Sequence, residues 1–193
     1  MTSETATQSG AGPSDAALVV AARARERWAE EALFRRHARL VNGLAYRLLG
    51  RDAEVDDLVQ DSFAAAFASL GRLQNPQAFA SWIASIVVRT AHKRMRRRRL
   101  MTRLGLRRDE PIDLDTIVSR TAPPDVVAEL RAVYGLLDRL PAEARIALVL
   151  RRVEGLALEE IAEHLDVSLA TVKRRLALAE SRLAKILSPG GTP

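Results

Sequence analysis

The chain contains no cysteine, which excludes disulfides, thiolate metal sites and cysteine nucleophiles together. Aromatic residues make up 4% of its 193 residues, and there are only 10 Gly and 8 Pro. With Ala, Leu and Arg abundant, that composition favours helix over sheet almost everywhere. No apolar run approaches the length of a membrane span. The opening residues, MTSETATQSGAGPSD, lack a basic start followed by an apolar core. Residues 1–13 therefore read as a disordered polar tail rather than a secretory leader, and a cytoplasmic protein is expected.

What the chain does have is charge of one sign. Thirty Lys and Arg against 24 Asp and Glu leave a formal net charge of +6, and 27 of the 30 basic residues are Arg. A balance of that kind points to a nucleic-acid partner. The 48% apolar content is that of a globular chain, long enough for one domain or two small ones.

Apolar spacing is helical from Ser14 onward. Leu18, Val19 and Ala22 form a short face, with Ser14 or Asp15 available as N-cap. A longer helix from about Glu30 carries Leu33, Phe34, Leu40, Val41, Leu44 and Leu48 inward and ends at Gly50. A third covers residues 53–70. After the Asn75-Pro76 break a fourth turns Phe79, Trp82, Ile83, Ile86 and Val87 inward and runs into RTAHKRMRRRRL. Residues 14–100 thus form one helical domain. Residues 101–124, with one Gly, three Pro and mixed charge, read as a flexible linker. Residues 125–187 form a second helical domain, and 188–193 a C-terminal tail. The expected fold is all-α.

Residues 156–183, LALEEIAEHLDVSLATVKRRLALAESRL, have the pattern of a helix-turn-helix. Ile161, Ala162 and Leu165 give a short helix an apolar face, Asp166-Val167-Ser168 makes the turn, and Ser168 can cap the next helix. Leu169, Val172, Leu176, Ala179 and Leu183 face inward on that helix. Ala170, Thr171, Lys173, Arg174 and Arg175 lie outward or on its flanks, where a recognition helix meets base edges and phosphates. A plain amphipathic helix with a solvated basic face is the alternative. Asp166 stands where such turns commonly have Gly, which enters the left-handed region more readily.

Two charged stretches remain. RTAHKRMRRRRL, residues 89–100, holds seven Arg or Lys and reads as a phosphate-contacting face, a solvated helix end being the simpler reading. DAEVDDLVQDSF, residues 52–63, holds five carboxylates in this basic chain. On a helix Val55, Leu58, Val59, Ser62, Ala66 and Leu70 face inward, with Phe63 and Phe67 on the shoulder. Asp57 and Asp61 fall one turn apart on the other side, with Asp56 and Gln60 beside them. The spacing fits either a solvated face or a dock for a basic protein surface. No set of convergent oxygens for a metal, and no nucleophile or phosphate-loop motif, accompanies it. With His37, His92 and His164 isolated in sequence, an enzyme is not expected, and no cofactor or metal is.

DDLVQDSF followed by the Phe79…Trp82 helix and its basic end resembles the second domain of extracytoplasmic-function (ECF) sigma factors of the bacterial sigma-70 family. LDRLPAEARIALVLRRVEGLALEEIAEHLDVSLATVKRRL resembles their fourth domain. The resemblance covers about residues 15–100 and 125–187, in the family's order. It implies that Asp56, Asp57, Leu58, Gln60 and Asp61 dock on the clamp of the largest subunit of core RNA polymerase. It implies that Asn75, Phe79, Arg89, Lys93, Arg96 and Arg97 meet the −10 element. Thr171, Lys173, Arg174 and Arg175 would read the −35 duplex. Core polymerase, promoter DNA and an anti-sigma factor are the partners so implied. Relatives often carry an Arg-Asn pair where Val88-Arg89 stands, a later Asp where Lys93 stands, and an aromatic at Ala84. Their first two helices are separated by a Gly-Asp turn. ARARERW offers none, so continuous helices are expected here. A stand-alone helix-turn-helix regulator acting as a dimer on duplex DNA is the competing function. It gives the acidic helix no task.

Overall fold

The computed structural model describes residues 12–50, 52–106 and 123–187. Most of the expected N-terminal tail, the linker beyond Leu106 and the C-terminal tail lie outside these residues. Eight α-helices and no strand occur among the described residues: α1 (Asp15–Arg23), α2 (Arg27–Leu49), α3 (Asp52–Ser69), α4 (Phe79–Arg103), α5 (Pro124–Asp138), α6 (Ala142–Arg152), α7 (Leu158–Leu165) and α8 (Leu169–Leu187). Two 3-10 turns, Leu70–Arg72 and Pro76–Ala78, link α3 to α4. The chain is all-α, as its composition implies. Helix α4 runs to Arg103, three residues past the expected end, because its pattern continues into the basic run.

The first two helices are not continuous. Arg25 takes a left-handed conformation with φ 67°. Its amide donates to Ala22 O, and the Glu26 amide donates to Ala21 O. This is a Schellman-type stop built on Arg where Gly is usual, so a search for glycine passes over it. α1 then folds back on α2. Asp15 accepts from Arg36 at 2.7 Å and lies 3.0 Å from His37 Nε2. The inward stripe of α2 is Leu33, His37, Val41, Leu44 and Leu48, all buried. Phe34 and Leu40, expected inside, are 41% and 45% exposed. His37 takes the intervening inward place, and Phe34 lies at the edge with its ring 4.6 Å from that of Phe63.

α2, α3 and α4 pack around a core that includes Val55, Leu58, Ala66, Phe79, Ile83 and Val87, none of them solvent-exposed. Arg23 holds the loop ahead of α4 by donating to the carbonyls of Leu70 and Leu73. In the second unit, α5, α6 and α8 enclose a smaller cluster of Leu140, Ala144 and Ala179.

The two units also pack on each other, which the sequence reading did not anticipate. Ile146, Val149, Leu150, Ile161 and Val172 of the second unit belong to the same core cluster as the first. α4 lies against α6 and α7, and α2 against α6. The C-terminus of α2 is the centre of this seam. Arg145, 2% exposed, donates to Leu49 O at 3.1 Å and pairs with Asp138. A cation there satisfies a carbonyl that the helix leaves open and suits the helix dipole. Tyr134 donates to Tyr46 O at 3.3 Å, and Arg47 grips Glu154 through two nitrogens. Gly50, at φ 65°, ends α2 with the Tyr134 ring pressed where a Cβ would stand. Gly50→Ala therefore meets both a strained backbone and a collision. It is expected to lower stability by about 2 kcal/mol or more in urea unfolding; a loss under about 0.5 kcal/mol would contradict this packing.

Candidate functional site

Three charged surfaces stand out, each set by a helix of different purpose. On α3, the inward set Val55, Leu58, Val59, Ser62, Ala66 and Leu70 is buried. Asp56, Asp57, Gln60 and Asp61 are exposed, so the acidic face is real and accessible. Leu58 is a correction. It is fully buried, because its position on the helix points into the core, and it cannot touch a partner directly.

The loop and first turns of α4 form the second surface. Asn75 is exposed, and its side chain accepts from the Gln77 amide at 3.0 Å, which fixes the turn through Pro76. Phe79 is the second correction. It is fully buried, with its ring centroid 5.0 Å from His37 and 6.0 Å from Trp82, so no base can stack on it in this arrangement. Phe79 anchors the loop, and half-buried Trp82 is the aromatic nearer the surface. Arg89, Lys93, Arg96 and Arg97 are exposed along α4. The basic run is not uniform, however. Arg94 pairs with Asp57 and Asp61 of α3. His92 lies 3.1 Å from Glu143 of α6, and Arg99 donates to Asp138 O at 3.1 Å. Burial lowers the pKa of the Arg99 guanidinium, against the opposing pull of Glu143 and Asp138.

The third surface is the helix-turn-helix. Asp166 takes the left-handed conformation, φ 52° and ψ 52°, where Gly is customary. The Val167 amide donates to Ala162 O, and Ser168 Oγ accepts from the Thr171 amide at 3.2 Å. Ser168 and Thr171 hydroxyls also meet at 2.9 Å, so Thr171 belongs partly to the cap. Lys173 and Arg174 are exposed, while Thr171 and Arg175 are half-buried. Glu160 accepts from the Ala157 amide at 2.6 Å and caps α7.

α7 covers part of α4 in this arrangement. His164 Nδ1 lies 3.2 Å from Ser85 Oγ. Burial lowers the His164 pKa from its ordinary 6.5, and Arg89 lowers it further, against Glu163 and Glu160. For Glu143, burial acts to raise the carboxyl, but its backbone hydrogen bond and His92 outweigh that and hold it below the usual carboxylate range. Among the described residues no group of His, Asp and Glu is placed to hold a metal ion, and no helix is long and apolar enough to cross a membrane.

Comparison with known proteins gives these surfaces a common setting. Residues 33–100 match the family description Sigma-70 region 2, and residues 130–183 match Sigma-70, region 4. The two units are thus those of a sigma-70-type factor. The ECF RNA polymerase sigma factor SigM of Mycobacterium tuberculosis (strain ATCC 25618 / H37Rv) is 37% identical over 175 residues, covering 90% of this chain and 85% of that one. The ECF RNA polymerase sigma-E factor of Haemophilus influenzae is 31% identical over 182 residues, covering 91% and 96%. The chain belongs to the ECF RNA polymerase sigma factors. Its fold resembles that of CnrH in complex with the cytosolic domain of CnrY, with a TM-score of 0.60 at 23% identity over 92% of this chain and 99% of that one. It also resembles RpoE in complex with the anti-sigma factor NepR from Bartonella quintana, with a TM-score of 0.61 at 20% identity over 83% and 97%.

The half-buried His164 has a pH consequence. Its folded pKa lies below the unfolded value, so the unfolded chain takes up the proton first and stability declines as pH falls below about 6.5. His164→Gln is expected to flatten the pH dependence of unfolding below about pH 6.5 while leaving stability at pH 8 little changed. An unaltered slope in that window would show that His164 is not the group responsible.

Proposed function

We propose that α3 docks this sigma factor on core polymerase through Asp56, Asp57, Gln60 and Asp61, while the α4 surface and the helix-turn-helix meet the −10 and −35 elements. The observation that carries this reading is the segregation of charge. One exposed acidic face lies on α3, and exposed basic side chains line α4 and α8. Carboxylates would repel a phosphate backbone but would attract a basic protein surface. The roles of Arg89, Lys93, Arg96 and Arg97 at −10, and of Thr171, Lys173, Arg174 and Arg175 at −35, follow from exposure, charge and helix position. Asn75 joins the first group from the loop. Trp82 replaces Phe79 as the aromatic nearest the DNA-facing side.

In this reading the protein acts in the cytoplasm as a specificity subunit with no catalysis of its own. The first domain then runs from residue 14 to the end of α4 at Arg103, and the second from the start of α5 at Pro124 to Leu187. An anti-sigma factor is a further partner, a reading supported by the fold's likeness to RpoE in its complex with NepR. A stand-alone dimeric regulator would leave residues 33–100 and their acidic face without a task.

The closed packing bears on how the factor works. Ser85 and His164 are in contact, so the loop before α4 and the recognition helix lie within about 40 Å of each other at helical rise. Elements about 25 base pairs apart are about 85 Å apart along a duplex. The closed chain cannot reach both, so promoter engagement requires the seam to open. The 16 residues 107–122 supply up to about 55 Å of extended chain for that separation.

Run-off transcription with purified core polymerase and promoter fragments tests the assignment. The chain is expected to direct specific initiation. Asp57→Arg with Asp61→Arg should remove core binding and transcripts while the helical circular-dichroism spectrum is unchanged. Normal core binding by that soluble double variant would refute the docking role of α3.

A further inference from the structure

The acidic face of α3 is not bare in the free chain. Arg94 reaches across from α4, binds Asp61 through Nη2 and brings Nη1 to 3.7 Å from Asp57 Oδ2. The Arg94 side chain is 26% exposed, whereas those of Asp57 and Asp61 are 68% and 58% exposed. The guanidinium is therefore held between the helices while both carboxylates still face outward. Arg94 also belongs to the basic surface of α4, with Arg97 one turn further along the same side. A single cation thus stands at the boundary between the surface assigned to polymerase and the surface assigned to DNA.

We propose that Arg94 is a hand-over residue that neutralises Asp57 and Asp61 in the free chain and passes to a promoter phosphate when those carboxylates dock on polymerase. The proposal rests on the docking role of α3 given above. A basic partner surface brings cations to the same two carboxylates. Arg94 then loses its share of their charge and gains like-charged neighbours, so its attraction to α3 falls as its availability to phosphate rises. Because coupling between binding sites is reciprocal, phosphate that draws Arg94 away also frees the acids for polymerase. Core binding and DNA binding are thereby linked through one side chain.

Arg94→Gln keeps most of the side chain's reach and removes its charge. Three quantities are measured: core affinity without DNA, the salt dependence of holoenzyme binding to promoter duplex, and the salt dependence of duplex binding by the free chain. Core affinity is expected to rise about two- to fivefold, the scale of an exposed ion pair. The holoenzyme slope of log K against log salt should fall in magnitude by about 0.9, the value of one phosphate contact, while the free-chain slope stays unchanged. Arg94→Lys should keep the wild-type holoenzyme slope. A fall in core affinity would make Arg94 a brace for the acids and overturn the proposal. So would equal slope changes with and without core, no change in either slope, or loss of folding in both variants. Should Asp57→Arg with Asp61→Arg bind core normally, the docking role itself fails. Should that variant fail to bind while Arg94→Gln behaves as wild type, only the hand-over fails.

Discussion

The C-terminus of α2 is the constraint on which the rest of the arrangement depends. Leu49 ends that helix with a carbonyl that no further turn can satisfy, and Arg145, from the other unit, satisfies it. Gly50 turns the chain away in a left-handed conformation and leaves a flat place for the Tyr134 ring. Arg47 and Glu154 close the same corner. A buried arginine is costly without partners, and here Asp138 and a helix-end carbonyl both supply them. These contacts hold the second unit so that Ile161 and Val172 complete the core begun by α2, α3 and α4.

Closure places the functional surfaces in relation to one another. α7 lies on α4, and His92, Arg99 and Ser85 of α4 are each engaged by the second unit. Arg89, Lys93, Arg96 and Arg97 of the same helix remain exposed. One basic helix is thus divided between holding the fold closed, pairing with α3 and facing solvent. The seam combines apolar contacts from Ile161 and Val172 with a buried arginine at the end of α2.

Much of this was legible in the sequence. The buried and exposed sides of α3 follow from helical spacing alone, and so does the helix-turn-helix, down to Ser168 as cap. Helical spacing also turns Leu58 and Phe79 inward, and both are buried; they entered the candidate sites through the family resemblance, which matches motif positions regardless of burial. The break after α1 was missed because Arg25 fills a position that glycine usually marks. The three histidines looked isolated along the chain, yet each has a partner from another segment, Asp15, Ser85 or Glu143. The seam left no local signal. Arg145 and Leu49 are 96 residues apart, and each belongs to a helix whose own pattern is complete without the other.

The most direct test of this account is the distance between the two units before and after promoter binding. A chain without cysteine accepts single labels cleanly, and Asn42→Cys with Ser181→Cys puts one on an exposed position of each unit. Resonance energy transfer on the free chain is expected to give one short distance. With core polymerase and promoter duplex that distance should lengthen by tens of ångströms, as elements about 85 Å apart require. A long or broadly spread distance in the free chain, or an unchanged one on the promoter, would contradict the closed seam and its opening.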